Sequence, residues 1–375
     1  LVLFFSLTVA YFYSLSGYGK VLFNENINFF DLQLNGTIIL LLVGYSLYLS
    51  IGINLVINTL IFFSGLILFF FYKKKIYSIK FKYISLLILL IFSVLIISKT
   101  HEDFHLYHFF SIFEVFNNKL RIGISTINNY YIHASHLSFN QALTVLPYVN
   151  FKIIHLPVFI IYICVIGYFA FISFSKKTKK EELFFSILCV FILLIKFNRL
   201  SEFGYDYISQ FILLVVFHKI YFLNSDENEV IKSLYYFILS VLIKPISLLF
   251  SPFLFFILYN KGFGFYKKIS LSKYFLIFVL TCTLLSSSFF KTGCIFYPLN
   301  TTCFSKDKIF WSKKEMVGSY SEIVSLWAKG YDSQNSSKYK KIGDKKLFNK
   351  NFNWVKYWVE NHFFYKISEF LLIVI

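Results

Sequence analysis

Ile153-Ile-His-Leu-Pro-Val-Phe-Ile-Ile-Tyr-Ile-Cys-Val-Ile-Gly-Tyr-Phe-Ala-Phe-Ile-Ser-Phe174 is a run of 22 residues without Asp, Glu, Lys or Arg. An α-helix needs about 20 apolar residues to cross the hydrocarbon core of a bilayer, so the run predicts a transmembrane helix. The basic cluster Lys176-Lys-Thr-Lys-Lys180 begins two residues later. Because short loops rich in Lys and Arg stay in the cytoplasm, this cluster predicts that the helix ends on the cytoplasmic side.

The composition of the whole chain supports the same class. Of its 375 residues, 57% are hydrophobic and 15% are charged, against about 25% charged residues in an ordinary globular domain. A soluble fold could not cover so much apolar surface with so few charges, which excludes a cytosolic enzyme, a disordered protein and a nucleic-acid-binding domain. The net charge of +18 suits loops beside anionic lipids, so membrane lipids are expected partners and nucleic acid is not.

The predicted fold class is an all-α, polytopic transmembrane helical bundle with external loops and about nine to eleven spans. Pro245 and Pro252 interrupt one long run, which predicts a re-entrant pair or two short spans there. The apolar runs cover residues 1–15, 37–51, 53–72, 83–98, 153–174, 183–197, 208–223, 233–259, 274–290 and 363–375.

Three short basic clusters set the predicted orientation, because Lys-rich loops stay inside. They lie at residues 73–82, 176–180 and 261–273. Counting spans between them puts three other segments outside. The predicted external segments are 99–152, 198–207 and 291–361.

These loops divide the chain into five predicted parts. Because residue 1 is Leu and the last residues are apolar, we expect the chain to be a fragment of a longer protein. The parts are N-terminal transmembrane helices at 1–98, a first external loop with an acidic and histidine motif at 99–152, central transmembrane helices at 153–290, an external loop domain at 291–361 and a truncated final transmembrane helix at 362–375. In the external loop domain, Cys294 and Cys303 would form either a disulfide on an oxidising face or two free thiols.

His101-Glu-Asp-Phe-His-Leu-Tyr-His108 concentrates ionisable residues at the external end of a predicted span. Such groups at membrane depth are usually functional, although a polar helix end is the ordinary alternative. The segment satisfies H-E-x-x-H, in which two histidines on one helical face bind zinc and Glu102 acts as base. His108 is expected on the same face as His105. The candidates for a third ligand are Glu114 and Glu202.

A second interpretation of this segment uses its carboxylates. On a helix, Asp103 points away from the histidines and toward Leu106, Tyr107 and Phe110. A carboxylate at the mouth of a membrane cavity can act as a general base on an acceptor hydroxyl. A donor with a good phosphate leaving group then needs only positioning and neutralisation of its charge.

Several short stretches between about residues 100 and 304 share a layout with a known family. They are His101–His108, Lys119–Gly123, His133–His136, Arg199–Asp206, Gly293–Pro298 and Thr302–Phe304. With an acidic pair in the first large external loop, directly after a span, the chain resembles the GT-C membrane glycosyltransferases. It is more closely similar to a largely uncharacterised family of bacterial multi-spanning membrane proteins. The resemblance implies a polyprenyl-phosphate sugar as donor and Asp103 as catalytic base. One departure is that about three spans precede the acidic loop, which follows the first span in typical GT-C enzymes.

The second external segment contributes further candidates. Glu202 and Asp206 are four residues apart and share a helical face, where they would orient the acceptor, hold a divalent cation or pair with Arg199. Arg199 would also neutralise the donor phosphate, and Glu102 would assist Asp103 or bind the metal. The candidate substrate-binding residues are His105, His108, His133, His136, Arg199, Glu202, Asp206 and Lys244.

Lysines within apolar runs need a partner. Lys244 is expected at mid-membrane, at a cost of about 2.5–3.5 kcal/mol that a polyprenyl phosphate or snorkelling from a short re-entrant helix would offset. Lys219, near a helix end, is expected to snorkel to the surface. Beyond Lys244 the predicted spans offer almost no polar path.

The sequence therefore favours a glycosyltransferase of the bacterial inner membrane with its active site on the external face. It would transfer a sugar from a polyprenyl-phosphate donor to a cell-envelope glycan or lipid acceptor. The alternatives are a polysaccharide polymerase or ligase, which would depend on external arginines, and a lipid-linked glycan transporter. A membrane zinc protease, based on H-E-x-x-H at 101–105, is a more remote one.

Overall fold

The computed structural model describes residues 2–22, 28–76, 103–133, 135–175, 178–196, 205–223, 226–261, 270–331 and 345–364. Within these ranges every regular element is helical, and β pairing is limited to two isolated bridges. The all-α class is therefore confirmed for the described part of the chain. The chain forms two compact units, Leu1–Lys291 and Thr292–Ile375, and each is described by itself.

Most α-helices of the first unit overlap a predicted apolar run, but α4 and α5 lie in the segment 99–152 that was predicted as an external loop. They are α1 (Val2–Leu22), α2 (Phe29–Leu49), α3 (Leu55–Ile76), α4 (Phe109–Asn117), α5 (Leu137–Leu143), α6 (Leu156–Ser173), α7 (Lys180–Ile195), α8 (Tyr205–Phe222), α9 (Glu227–Ile243), α10 (Ser251–Asn260) and α11 (Leu271–Thr292).

Four helical segments of the described ranges are long and apolar enough to cross a membrane. They are Phe29–Leu49, Leu55–Tyr72, Phe151–Ser173 and Leu271–Thr292. The predicted run at 83–98 and most of the run at 363–375 lie outside the described residues. The predicted total of about nine to eleven spans stays a prediction.

Helix α6 forms the core of the first unit. Pro157 occupies its first turn, where the missing N–H costs no hydrogen bond. The helix is apolar on all sides, and Tyr162 and Phe169 are completely buried. A helix that is hydrophobic all round needs neighbours all round. Helices α2, α7 and α8 supply them by packing against α6.

Glycines bring α1 close to α2 and α3. A Cβ on Gly17 would lie 2.1 Å from the carbonyl oxygen of Gly65, and a Cβ on Gly36 would lie 2.2 Å from that of Leu15. Small residues allow such close approach between helix backbones in membranes. A larger side chain at Gly17 would push α1 away from α3.

The predicted break in the 233–259 run is confirmed at Lys244. The residue adopts an extended conformation (φ −148°, ψ 117°) and ends α9, because Pro245 disfavours helical geometry in the residue before it. A 3₁₀ helix, Pro245–Phe250, and then α10 follow. Lys244 therefore lies at the break between two helices, and its expected position at mid-membrane stays a prediction.

The described residues between α3 and α6 meet one end of the helical bundle. We call residues 103–155 the connecting segment. The N–H of Leu120 donates to the carbonyl of Tyr48 at the end of α2, at 2.8 Å, and the N–H of Gly123 donates to that of Phe290 near the end of α11, at 2.6 Å. Gly123 has a φ of 71°, a conformation that glycine adopts without strain. The connecting segment thus lies at the end of the bundle where α2, α9 and α11 finish and α8 begins.

The second unit contains helix α12 (Lys314–Ala328) and two short helices, α13 (Lys345–Asn349) and α14 (Val355–Trp358). Cys294 and Cys303 form a disulfide, so the first of the two alternatives left open by the sequence is the observed one. Val317 of α12 packs against the disulfide, with Tyr297 beside it.

Candidate functional site

An ion pair lies where α9 ends and α8 begins. Nζ of Lys244 is 2.5 Å from Oδ1 of Asp206, and the two side chains are 32% and 52% exposed. Helices α8 and α9 are packed neighbours that run in opposite directions, so Lys244, the residue directly after α9, meets the first turn of α8. The pair is open to a ligand arriving from outside the bundle.

Tyr107 and Asp103 add a phenol and a second carboxylate. The Tyr107 hydroxyl hydrogen-bonds to the Asp103 carboxylate and is close enough to Asp206 to feel its charge. Burial raises the pKa of Tyr107 above its ordinary value, and the negative charges of Asp103 and Asp206 raise it further. Tyr107 is therefore a neutral hydrogen-bond donor. The prediction that Asp103 points toward Tyr107 is confirmed, but the sequence did not indicate a role for Tyr107.

His133 completes the cluster from the 3₁₀ helix Asn129–His133. Its ring centroid lies 6.0 Å from that of Tyr107. Burial lowers the pKa of His133, the positive charge of Lys244 lowers it further, and the negative charge of Asp103 acts in the opposite direction. The imidazole is therefore near both Lys244 and Asp103, and it is neutral at pH 7.

His105 and His108 do not share a face, so that prediction was wrong. Residues Phe104–His108 form a π-helical turn. A π-helix has more residues per turn than an α-helix, so two residues three positions apart point in more different directions than they would in an α-helix. His105 is exposed, whereas His108 is 3% exposed. The His108 ring packs between Tyr107, at 4.1 Å, and Tyr205, at 4.2 Å, measured between ring centroids. In this position His108 supports Tyr107.

His136 lies at the start of α5 and links three helix ends. Its Nδ1 is 2.8 Å from the carbonyl oxygen of Leu242 in α9, and its Nε2 is hydrogen-bonded to Ser287 in α11. Burial and the nearby charge of Lys291 lower the pKa of His136 to about 3. Since both ring nitrogens already have protein partners, the geometry gives His136 a structural position.

The predicted residues His101, Glu102, Arg199 and Glu202 lie outside the described residues. Among the described ones, no group of three or more His, Cys, Asp or Glu side chains could hold a metal ion. Glu114, one candidate zinc ligand, instead accepts a hydrogen bond from Asn118 at 2.8 Å and lies 3.6 Å from Arg121.

A second charged cluster lies at the opposite end of the bundle. Nζ of Lys219 on α8 is 2.9 Å from Oδ2 of Asp31 on α2 and 2.5 Å from Oε2 of Glu229 on α9. Glu229 also binds Lys232 at 2.5 Å. The expected snorkelling of Lys219 was wrong, because its side chain is 1% exposed and fully paired inside the bundle. No sequence signal joins Asp31 to Lys219, since the two residues are far apart in the chain.

The Asp103 cluster, by contrast, is partly exposed and has a defined chemistry. We use this name for Asp103, Tyr107, His133, Asp206 and Lys244, which four separate segments bring together. Two carboxylates, one ammonium, one neutral imidazole and one phenol stand at one end of an apolar helical bundle. Such a set can accept a proton and neutralise an anion. The described residues form a helical protein that carries an acid–base cluster at one bundle end, and four of their helices are long and apolar enough to cross a membrane.

Comparisons with protein-family profiles, with curated proteins and with solved structures find no match for this chain.

Proposed function

We propose that this protein is a membrane glycosyltransferase that takes a sugar from a polyprenyl-phosphate donor and transfers it to a cell-envelope glycan or lipid acceptor. The observation that carries the proposal is the Asp103 cluster, in which a carboxylate with a hydrogen-bonding partner stands near a lysine that is open to ligands. By the positive-inside rule, this end of the bundle faces away from the cytoplasm, across the bacterial inner membrane.

The reaction follows from the chemistry of the cluster. Asp103 takes the proton of an acceptor hydroxyl, and the acceptor oxygen forms a bond to the anomeric carbon of the donor sugar. The bond between that carbon and the phosphate oxygen breaks, and the electron pair leaves with the polyprenyl phosphate. Tyr107 holds the base in place through its hydrogen bond to Asp103. No further reactant is needed.

Lys244 neutralises the charge that the leaving phosphate gains. In the protein without ligand, Lys244 is held by Asp206, so donor binding exchanges a carboxylate for a phosphate as the partner of the ammonium. Such preorganised charge is usually a large part of catalysis when it faces the group where negative charge develops. His133 places a neutral imidazole near Lys244 in the same region.

The remaining site residues keep the roles predicted from sequence. Arg199 would assist Lys244 at the donor phosphate, and Glu202 would orient the acceptor together with Asp206. Glu102 would assist Asp103, and a divalent cation would bind at these acids if the reaction requires one. Phosphate recognition by external arginines remains the basis of the polymerase or ligase alternative.

The buried cluster around Lys219 does not by itself favour a transporter. Its two acids, Asp31 and Glu229, are balanced by Lys219 and Lys232. A transport site would need to release or exchange such a partner.

Complementation in the native host tests the proposal. The gene is deleted, surface glycans and lipid-linked sugars are profiled, and the full-length gene is restored as wild type or as Asp103→Asn. Asn keeps the size and hydrogen bonding of the side chain but cannot take the proton. We expect wild type to restore a glycan, and Asp103→Asn to leave it absent while a polyprenyl-phosphate sugar accumulates.

A matched control is Asp226→Asn. Asp226 caps the start of α9 by accepting a hydrogen bond from the N–H of Asn228 at 2.9 Å, and Asn caps helices as well as Asp does. This variant makes the same chemical change away from the Asp103 cluster and should restore the glycan. Full restoration by Asp103→Asn would exclude Asp103 as the base.

A further inference from the structure

Helix α12 of the second unit has an exposed apolar face. Ile323, Val324 and Trp327 are 53%, 54% and 63% exposed, whereas Val317 and Leu326 of the same helix are buried. Residue 327 is four positions from residue 323 and three from residue 324, so the three residues lie on the same side of the helix. We call these three residues the α12 face.

The end of α12 is fixed to the residues that precede an apolar stretch. Nε2 of His362 lies 3.0 Å from the carbonyl oxygen of Trp327, and the two rings are 5.4 Å apart between centroids. Asn361 donates to the carbonyl of Gly330 at 3.1 Å. Residues 363–375, predicted to begin the last span, follow directly. Trp327 is therefore held beside the point where the chain is predicted to enter the bilayer.

The composition of the second unit agrees with a lipid surface as the partner. Residues 292–375 contain thirteen lysines and seven acidic residues, an excess of positive charge that attracts anionic headgroups. Tryptophan is enriched at membrane interfaces, because its ring is apolar and its N–H is polar.

We infer that the α12 face inserts into the headgroup region of a phospholipid bilayer that contains anionic lipid. The second unit is then bound to the membrane surface by a helix lying in the interface, in addition to any span that follows it. This inference does not depend on the glycosyltransferase proposal, since it uses no residue of the Asp103 cluster.

Intrinsic fluorescence provides a direct test, because all four tryptophans lie in the second unit. They are Trp311, Trp327, Trp354 and Trp358. The chain is reconstituted in nanodiscs of phosphatidylcholine and phosphatidylglycerol, with or without bromine on the lipid chains near the headgroup. Brominated lipid should quench wild-type fluorescence, and Trp327→Phe should lose the largest share of this quenching. Phe fits the site of Trp327 and keeps its apolar contact, so the fold is retained.

Trp311→Phe is the matched control, because Trp311 is less exposed than Trp327 and belongs to the same unit. It should leave most of the quenching in place. Replacing Ile323 and Val324 together by Ser should also reduce the quenching, since insertion then loses its apolar side chains. Equal quenching in wild type and Trp327→Phe would overturn the inference. So would quenching of Trp327 by aqueous iodide but not by brominated lipid, which would indicate that the α12 face meets water or another protein.

Discussion

The ammonium of Lys244 lies 2.5 Å from the carboxylate of Asp206, and this pair joins the last turn of α9 to the first turn of α8. The same two helices are joined at their other ends by Lys219 of α8 and Glu229 of α9, also at 2.5 Å. Helices α8 and α9 are thus joined by an ion pair at each end. Helix α8 supplies the acid at one end and the lysine at the other. The first pair is partly exposed and the second is largely buried, so we expect the two pairs to contribute differently to the free energy of unfolding.

The exposed pair should contribute little to folding and much to activity. We expect Lys244→Met to abolish transfer, because the leaving phosphate loses its cation. In a double-mutant cycle with Asp206→Asn, the coupling in the free energy of unfolding should be below about 1 kcal/mol, as for other solvent-exposed ion pairs. Thermal unfolding in detergent and initial rates of transfer measure the two effects. A coupling of several kcal/mol would show that Lys244 is a structural residue.

The buried pair should behave in the opposite way. Lys219→Met leaves the carboxylate of Asp31 without its cation inside the bundle, whereas Glu229 keeps Lys232 as a partner. We expect a loss of about 3–5 kcal/mol in the free energy of unfolding, because an unpaired buried charge remains. Adding Asp31→Asn should recover part of this loss. Lys356→Met, a change at an exposed lysine of the second unit, is the control and should have no comparable effect.

Tyr107→Phe tests the support of the base. The variant removes only the hydroxyl that hydrogen-bonds to Asp103. Because Tyr107 positions the carboxylate, its loss should misplace the base, and a misplacement of about 1 Å can cost roughly 100-fold in rate, so the rate of transfer should fall roughly 10- to 100-fold. The unfolding temperature should change little. Tyr130→Phe, at an exposed ring of the connecting segment, should keep the full rate, and a normal rate in Tyr107→Phe would remove Tyr107 from the mechanism.

Acid should destabilise the fold through His136. Its pKa is about 3 in the folded protein, against an ordinary 6.5. The unfolded chain therefore binds the proton first, so the stabilisation is complete above about pH 6.5 and falls as the pH drops toward 3. From pH 7.5 to pH 5 the contribution of His136 should fall by about 2 kcal/mol.

Unfolding of wild type and His136→Gln at both pH values measures this contribution. The variant loses hydrogen bonds at any pH, so the comparison uses the change between the two pH values within each protein. We expect a smaller change in His136→Gln. Equal pH sensitivity of the two proteins would contradict the burial of a neutral imidazole at this position.

Cysteine labelling tests the disulfide of the second unit. Cys282 is exposed, and Cys294 and Cys303 are joined to each other. Cys282 lies in the middle of the apolar helix α11, where lipid or detergent would shield it from an aqueous maleimide, so it should react only after unfolding, and Cys294 and Cys303 should need reduction as well. Mass spectrometry of the labelled peptides distinguishes the three sites. Labelling of Cys294 before reduction would show that the thiols are free.

The class of secondary structure and one break in it can be predicted from the amino-acid sequence alone. A run such as 153–174 has no charge to place in water, and its backbone polar groups can be satisfied within the segment only by a helix. Pro245 ended α9 at the expected place, because the restriction acts on the adjacent residue alone. These are local effects, so they can be read from neighbouring residues.

Which charged side chains form ion pairs depends on the tertiary structure. Asp103, Asp206 and Lys244 were each chosen from sequence, but only the packing of α8 against α9 and the connecting segment brings them together. The same packing paired Lys219 with Asp31, where sequence reasoning expected a snorkelling side chain. A π-turn also separated His105 from His108. Partner choice depends on contacts between residues distant in the chain, and on the high cost of leaving a buried charge unpaired, neither of which a single sequence displays.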